Sequence, residues 1–176
     1  MNAILQTNSM INEMKAAAVT ADILQLVTFN LGSEEYAVDI LKVQEINRMK
    51  EITRVPNSPA YVEGVINLRG KVIPVVNLRK KFGLPEREDD GQARIMIMDI
   101  QGITMGLVVD AVSEVLRIPI DTVEPTPPMA SNISTEFIKG IAKLEERLII
   151  LLDMDRLLGK AGDSAMIETT KAIENK

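Results

Sequence analysis

The feature that constrains this chain most is that it aligns on itself. Residues 61–83, YVEGVINLRGKVIPVVNLRKKFG, match residues 137–159, FIKGIAKLEERLIILLDMDRLLG, without a gap. Tyr61 falls on Phe137, Gly64 on Gly140, Leu68 on Leu144, Ile73 on Ile149, Asn77 on Asp153 and Gly83 on Gly159. Upstream, VQEINR at 43–48 matches VSEVLR at 112–117 in a second register, which also carries Pro56 onto Pro125 and Pro59 onto Pro128. The mismatch between the registers is an insertion around MASNIS. Self-similarity of this kind means two units of like architecture. Short apolar runs, Gly and Pro turns and little helical periodicity make those units strand-rich, and closing into small barrels is how such strands avoid exposed edges. Neither unit holds a large core. They are expected to pack on one another through VIPVV at 72–76 and LIILL at 148–152, where consecutive apolar residues need cover on both faces. In the first repeat Val72, Pro74 and Val76 are also open to a partner. Two such units side by side leave a groove between them.

Local signals fill in the elements. LQLVTFNL and EYAVDI flank Gly32-Ser33, so residues 24–40 read as a hairpin. A second hairpin turns at Arg69-Gly70, and NLRKKFGL reads as a helical turn ended by Gly83. In DILKVQEINR, Ile40, Val43 and Ile46 stand at helical spacing behind Asp39, a capping residue. That suggests one short helix, the alternative being a strand bent by its neighbours. Residues 1–21 form a flexible or helical N-terminal segment, with a short helix over Met10–Ala18 or no element there, and ordered structure is expected from about Ile23. Residues 161–176 form a C-terminal tail or short helix.

Composition narrows function mainly by exclusion. The chain has no histidine and no cysteine, which removes imidazole bases, thiol nucleophiles, thiolate metal sites and disulfides, and fits a reducing compartment. Its 20 basic and 25 acidic residues give a net charge of −5, with no broad positive surface for nucleic acid. The start of the chain carries Glu13 and Asp22 and does not read as a secretion signal. Apolar runs such as Leu148 to Leu152 fall far short of the roughly 20 residues a membrane-spanning helix needs. A soluble, cytoplasmic protein is expected.

The remaining chemistry is sparse. Asp153 and Asp155 are the best acidic pair for a carboxylate-dependent hydrolase, but Asp153 sits where a helical turn starts and the plainer reading is an N-cap. EGVINLRG lacks the lysine and spacing of a phosphate loop. Met96, Met98 and Met105 alternate as core filling in a third hairpin. Arg79, Lys80 and Lys81 read as a solvated helical face. No catalytic, cofactor or metal residues are assigned. Arg69 differs in its setting: Gly70 allows a tight turn, so Arg69 stands at a hairpin tip between apolar rows, charge beside a greasy patch.

AVDILKVQEI, RVPNSPAYVEGVINLRGKVIPVVNLRKKFGL, GLVVDAVSEVL and LEERLIILLDMDRLL together resemble the CheW family of bacterial chemotaxis coupling proteins, over residues 22–160. The resemblance implies a mostly β fold of two five-stranded SH3-like barrel subdomains packed side by side with short helices, in agreement with the internal repeat. It also implies a non-enzymatic adaptor that links the cytoplasmic tip of methyl-accepting chemoreceptors to the regulatory domain of the histidine kinase CheA, a domain of the same fold. No direct membrane insertion is implied; recruitment to membrane arrays would go through the partners. On this resemblance Val43, Glu45, Arg69, Gly106 and Val115 fall on the receptor side, in the groove between subdomains, and Met49 and Val72 on the kinase side. One departure is Asn77, where the family usually has Asp; Asn can still cap the turn.

Overall fold

Hairpins chosen by turn chemistry generate almost the whole molecule. The computed structural model describes residues 2–16, 22–88, 90–126 and 137–158. In chain order these form α1 (Asn2–Ala16), β1 (Ile23–Leu31), β2 (Glu34–Asp39), a single 3-10 turn (Ile40–Lys42), β3 (Val43–Arg48), β4 (Val62–Leu68), β5 (Lys71–Asn77) and α2 (Leu78–Lys81). There follow β6 (Arg94–Ile100), β7 (Ile103–Val109), β8 (Ala111–Pro119), a second 3-10 turn (Ile120–Thr122), β9 (Val123–Glu124), β10 (Ile138–Leu144), β11 (Arg147–Leu152) and α3 (Met154–Leu158). The 161–176 tail, Gly159 and the MASNIS insertion lie outside the described residues.

Two sheets result, one ordered β8-β1-β2-β11-β10-β9 and the other β3-β6-β7-β5-β4. Each is built from two hairpins set side by side, with one parallel contact where they meet: Leu151 opposite Ala37 in the first, Val75 opposite Gly106 in the second. The strands β3 and β8 are exchanged. The chain leaves the β1–β2 hairpin and sends β3 to pair with β6 in the other sheet, and it leaves β6–β7 and sends β8 back to pair with β1. Five strands per unit were expected. The second sheet has five, the first gains the two-residue β9, and the matching place in the second is a single bridge between Thr53 and Val65. Among the described residues both sheets are open, each with two edges, rather than closed barrels.

The repeat holds down to its irregularities. Glu63 and Lys139, aligned in the sequence, are both skipped by a bulge in their hairpins, and Gln44 and Ser113 are skipped in β3 and β8. The bulge at Gln44 corrects the helix suggested for 39–48. Asp39 does cap, its carboxylate accepting from Leu41 N at 2.9 Å, but the helix stops after one 3-10 turn. The extra residue in β3 then lets Val43 and Ile46, three apart, both point inward from a strand. Helical spacing here is a bulged strand in disguise.

Three apolar clusters explain the doubly apolar strands. Val76 and Leu152 enter a central core shared by both sheets, with Phe29, Tyr36 and Val38 from one and Met96, Met98 and Met105 from the other. Ile73 and Val75 turn the opposite way with Ile95 and Ile97, and Ile149 and Leu151 do likewise with Leu26 and Ala142. VIPVV and LIILL are thus apolar on both faces because each divides one core from another, as the sequence reading required. Pro74 and Val76 are buried, and Val72 stays exposed.

Order begins well before Ile23. In α1, Ile11 has no exposed surface and lies in the central core, while Asn8 hydrogen-bonds the backbone of Ile46.

The aligned glycines have a common cause, because an extended segment crosses close over each. A Cβ on Gly64, where φ is +144°, would lie 2.1 Å from Thr53 O, and one on Gly140 would lie 2.8 Å from Glu124 O. Gly70 (φ +83°) has open space around it. Gly64→Ala is therefore expected to cost about 3 kcal/mol of unfolding free energy in urea titrations, against about 1 kcal/mol for Gly70→Ala.

Candidate functional site

The β4–β5 turn is the tight one that the sequence predicts, with φ of 51° at Arg69 and 83° at Gly70. Asn67 fixes it by accepting from Gly70 N at 2.8 Å. The tip carries Arg69 back to β3, where its guanidinium donates twice to Glu45, Nη1 to Oε1 at 3.1 Å and Nη2 to Oε2 at 3.0 Å. Asn47 Nδ2 donates to the same carboxylate at 2.9 Å. Two residues that the resemblance sets on one side are thereby joined as a forked pair. Arg69 keeps 70% of its side-chain surface exposed and Glu45 20%, so the carboxylate orients a guanidinium that still faces outward. Burial pushes the Glu45 carboxyl up, but hydrogen bonds from Arg69 and Asn47, with the charges of Arg69 and Lys50, outweigh it and hold the group below the ordinary glutamate range.

Other assigned residues fall elsewhere. Val115 is half-buried on β8 at the margin of the central core. Val43 is wholly buried, and Gly106 lies under Ile95 and Val75, whose methyls would stand 2.8 and 3.4 Å from an added Cβ. Both therefore lie in the core rather than on a contact surface. Met49 and Val72 are 40% and 42% exposed but stand at opposite ends of the second sheet. Val72 neighbours the Arg69 tip, whereas Met49 follows Arg48, whose pairing with Arg94 sets it at the Asn77 end.

Met49 borders a cleft of about 340 Å³ that sequence reading missed. Its lining includes Asp110, 4% exposed, whose Oδ2 accepts from Gly32 N at 2.7 Å and meets Arg79 Nη1 at 2.6 Å and Arg87 Nη1 at 3.1 Å. This corrects the reading of 79–81 as a solvated face. Arg79 is committed to Asp110, Lys80 to Glu63 at 2.7 Å, and Lys81 lies 4.1 Å over the Tyr61 ring. Asn77 caps α2, Oδ1 accepting from Lys80 N at 3.2 Å, and its amide donates to Glu63 Oε1 at 3.0 Å. A carboxylate in its place would face the Glu63 carboxylate, so Asn suits this neighbour. The signal for Asp110 was a lone charge between the apolar strands MGLVV and AVSEVL.

The acidic pair does not converge. Asp153 caps α3 by accepting from Arg156 N at 3.1 Å, and Asp155 faces Lys42 at 3.3 Å.

A domain profile matches residues 25–162 of this sequence, and its description is CheW-like domain. The chain belongs to the CheW-like family. It is 39% identical over 134 residues to the chemotaxis protein CheW of Klebsiella aerogenes, covering 76% of this chain and 81% of that one. Against the chemotaxis protein CheW of Thermotoga maritima it is 35% identical over 148 residues, 82% and 94% of the two chains. The crystal structure of the scaffolding protein TtCheW from Thermoanaerobacter tengcongensis superposes with a TM-score of 0.72 at 42% identity, covering 79% of this chain and 94% of that one. The CheW-like match spans both sheets and leaves α1 outside it. Among the described residues no helix is long and apolar enough to cross a membrane.

Two outcomes follow for this CheW-like site. Since the folded Glu45 pKa is lowered, its contribution to stability is present above the ordinary value of 4.5 and is lost as pH falls through the lower folded value. The stability difference between parent and Glu45→Gln, measured by urea unfolding, should be steady near neutrality and vanish in that acid window. Asp110→Ala, which strands the half-buried guanidinium of Arg79, should cost about 3 kcal/mol by the same assay.

Proposed function

We propose that this chain is a non-enzymatic coupling scaffold of bacterial chemotaxis, joining the cytoplasmic helical tip of methyl-accepting chemoreceptors to the regulatory domain of the histidine kinase CheA. The observation that carries the reading is the Arg69–Glu45 pair. A strand exchanged between subdomains supplies the carboxylate, a hairpin tip supplies the arginine, and the cation is held outward in one orientation instead of collapsing onto the surface. Membership of the CheW-like family and the scaffolding role named for the solved relative support the assignment.

On the receptor side, Arg69 makes the polar contact with Glu45 behind it, and Val115 supplies apolar surface. Val43 and Gly106 act from beneath by shaping β3 and β7. On the kinase side, Met49 and Val72 offer exposed apolar surface at the two ends of the second sheet. Binding, rather than turnover, is the chemistry these groups provide, and the protein works in the cytoplasm, drawn to receptor arrays by its partners.

Sedimentation velocity with a receptor cytoplasmic fragment and a CheA regulatory domain, separately and together, is expected to show both binary complexes and a ternary one. In Arg69→Glu, receptor affinity should fall by about tenfold or more while kinase-domain affinity holds, because the reversed charge now repels the partner's acidic group and Glu45 alike. An Arg69→Glu chain that binds receptor as the parent does removes Arg69 from the site; a parent chain that binds neither partner removes the coupling role.

A further inference from the structure

The N-terminal helix lies across the two exchanged strands. α1 packs against β3, the 3-10 turn at 40–42 and β8, so it bridges the seam where one subdomain hands a strand to the other. Its inward stripe is Ile4, Thr7, Asn8, Ile11 and Met14, at helical spacing. Ile11 is buried completely in the central core and Met14 packs beside it. Asn8 acts as a substitute strand residue on the outer side of β3: its Oδ1 accepts from Ile46 N at 2.9 Å and its Nδ2 donates to Ile46 O at 3.2 Å. Ile46 is the next residue but one after Gln44 and directly follows Glu45, the carboxylate that holds Arg69.

The helix is built to be held weakly. Of its residues, Asn2, Thr7, Asn8, Ser9 and Asn12 are poor helix formers, and a segment of this length is marginal alone even with good ones. Its outer face leaves Leu5 and Met10 to solvent, 68% and 47% exposed. Its fastenings to the body include the buried Ile11, Met14 beside it and the Asn8 amide. The helix also falls outside the residues matched to the CheW-like domain and supplies no strand to either sheet. Tethered to β1 through residues 17–21, it meets the groove at a high effective concentration, which lets a weak docking compete with a partner in solution.

We propose that α1 is an intramolecular strap that occupies the helix-binding groove between β3 and β8, and that the chemoreceptor's helical tip binds by displacing it. This rests on the receptor reading above and adds its regulation. A receptor helix would lay its apolar face on the surface that Ile11 and Met14 cover and take over the backbone groups of Ile46, the general mode of an amphipathic helix in an apolar groove. The strap lowers receptor affinity by the fraction of molecules in which it is docked. It leaves the Met49 and Val72 surfaces open, so kinase binding does not depend on it.

Hydrogen exchange read by mass spectrometry on the full chain tests this without altering it. Residues 2–16 should be protected in the free protein, lose protection on saturation with a receptor cytoplasmic fragment, and keep it on saturation with a CheA regulatory domain. Ile11→Asp, which undocks the strap, should bind the receptor fragment about tenfold more tightly if the strap is docked in about nine molecules of ten, with kinase-domain affinity unchanged. Asn8→Ala, which removes two hydrogen bonds and leaves the core intact, should give a smaller gain in the same direction. Retained protection of residues 2–16 in a saturated receptor complex overturns the strap while the coupling role stands, as does unchanged receptor affinity in both variants. Absence of receptor binding by parent and variants alike overturns the coupling role and the strap with it, and is distinguishable because no complex forms.

Discussion

Everything in this molecule depends on the exchange of β3 and β8. Each sheet needs an edge strand that the other half supplies, so the inner faces of the two sheets are forced together over one central core. That explains why the strands β5 and β11 carry apolar residues on both faces: one face closes the local cluster and the other closes the shared one. It also explains the bulges at Gln44 and Ser113. A strand leaving one sheet for another must re-aim its side chains as it crosses, and one extra residue does so.

The same duplication sets the electrostatics. Glu45 and Glu114 are aligned on the exchanged strands, and each is bound by an arginine from the hairpin of its own sheet, Arg69 in one case and Arg147 in the other. The halves then differ. Arg147 divides its guanidinium between Glu114 and Glu35, 2.9 and 2.7 Å away, and the two neighbouring carboxylates push its pKa up further. Among the described residues Arg69 has one carboxylate partner, and it stands on the turn itself, where the second unit has Glu145 and Glu146. One frame thus presents a cation at one tip and two acidic residues at the other.

How much of this was legible follows from what each feature depends on. The repeat, the hairpins, the Arg69 turn and the methionine core could be read because they rest on local turn chemistry and on alternation, which one sequence records directly. The strand at 43–48 was misread because its bulge turns a two-residue period into a three-residue one. Asp110 was missed because its burial depends on Arg79 and Arg87, brought to it only by the fold, and the Asn77 amide became intelligible once Glu63 was seen beside it. The N-terminal helix was read short because its inward stripe holds one fully buried residue, too little to stand out from a polar segment.

The connections between the halves are short. Asp110 alone separates β7 from β8, and it is clamped by the Gly32 amide of one sheet and by two arginines. Three residues in a 3-10 turn separate β2 from β3. Neither joint has slack, and neither has a glycine. A load applied to the Arg69 tip therefore passes along β5 to β7, through Asp110 and into the opposite sheet without a compliant link on the way. The two halves are therefore joined as one short-linked body rather than as a pair of beads on a string.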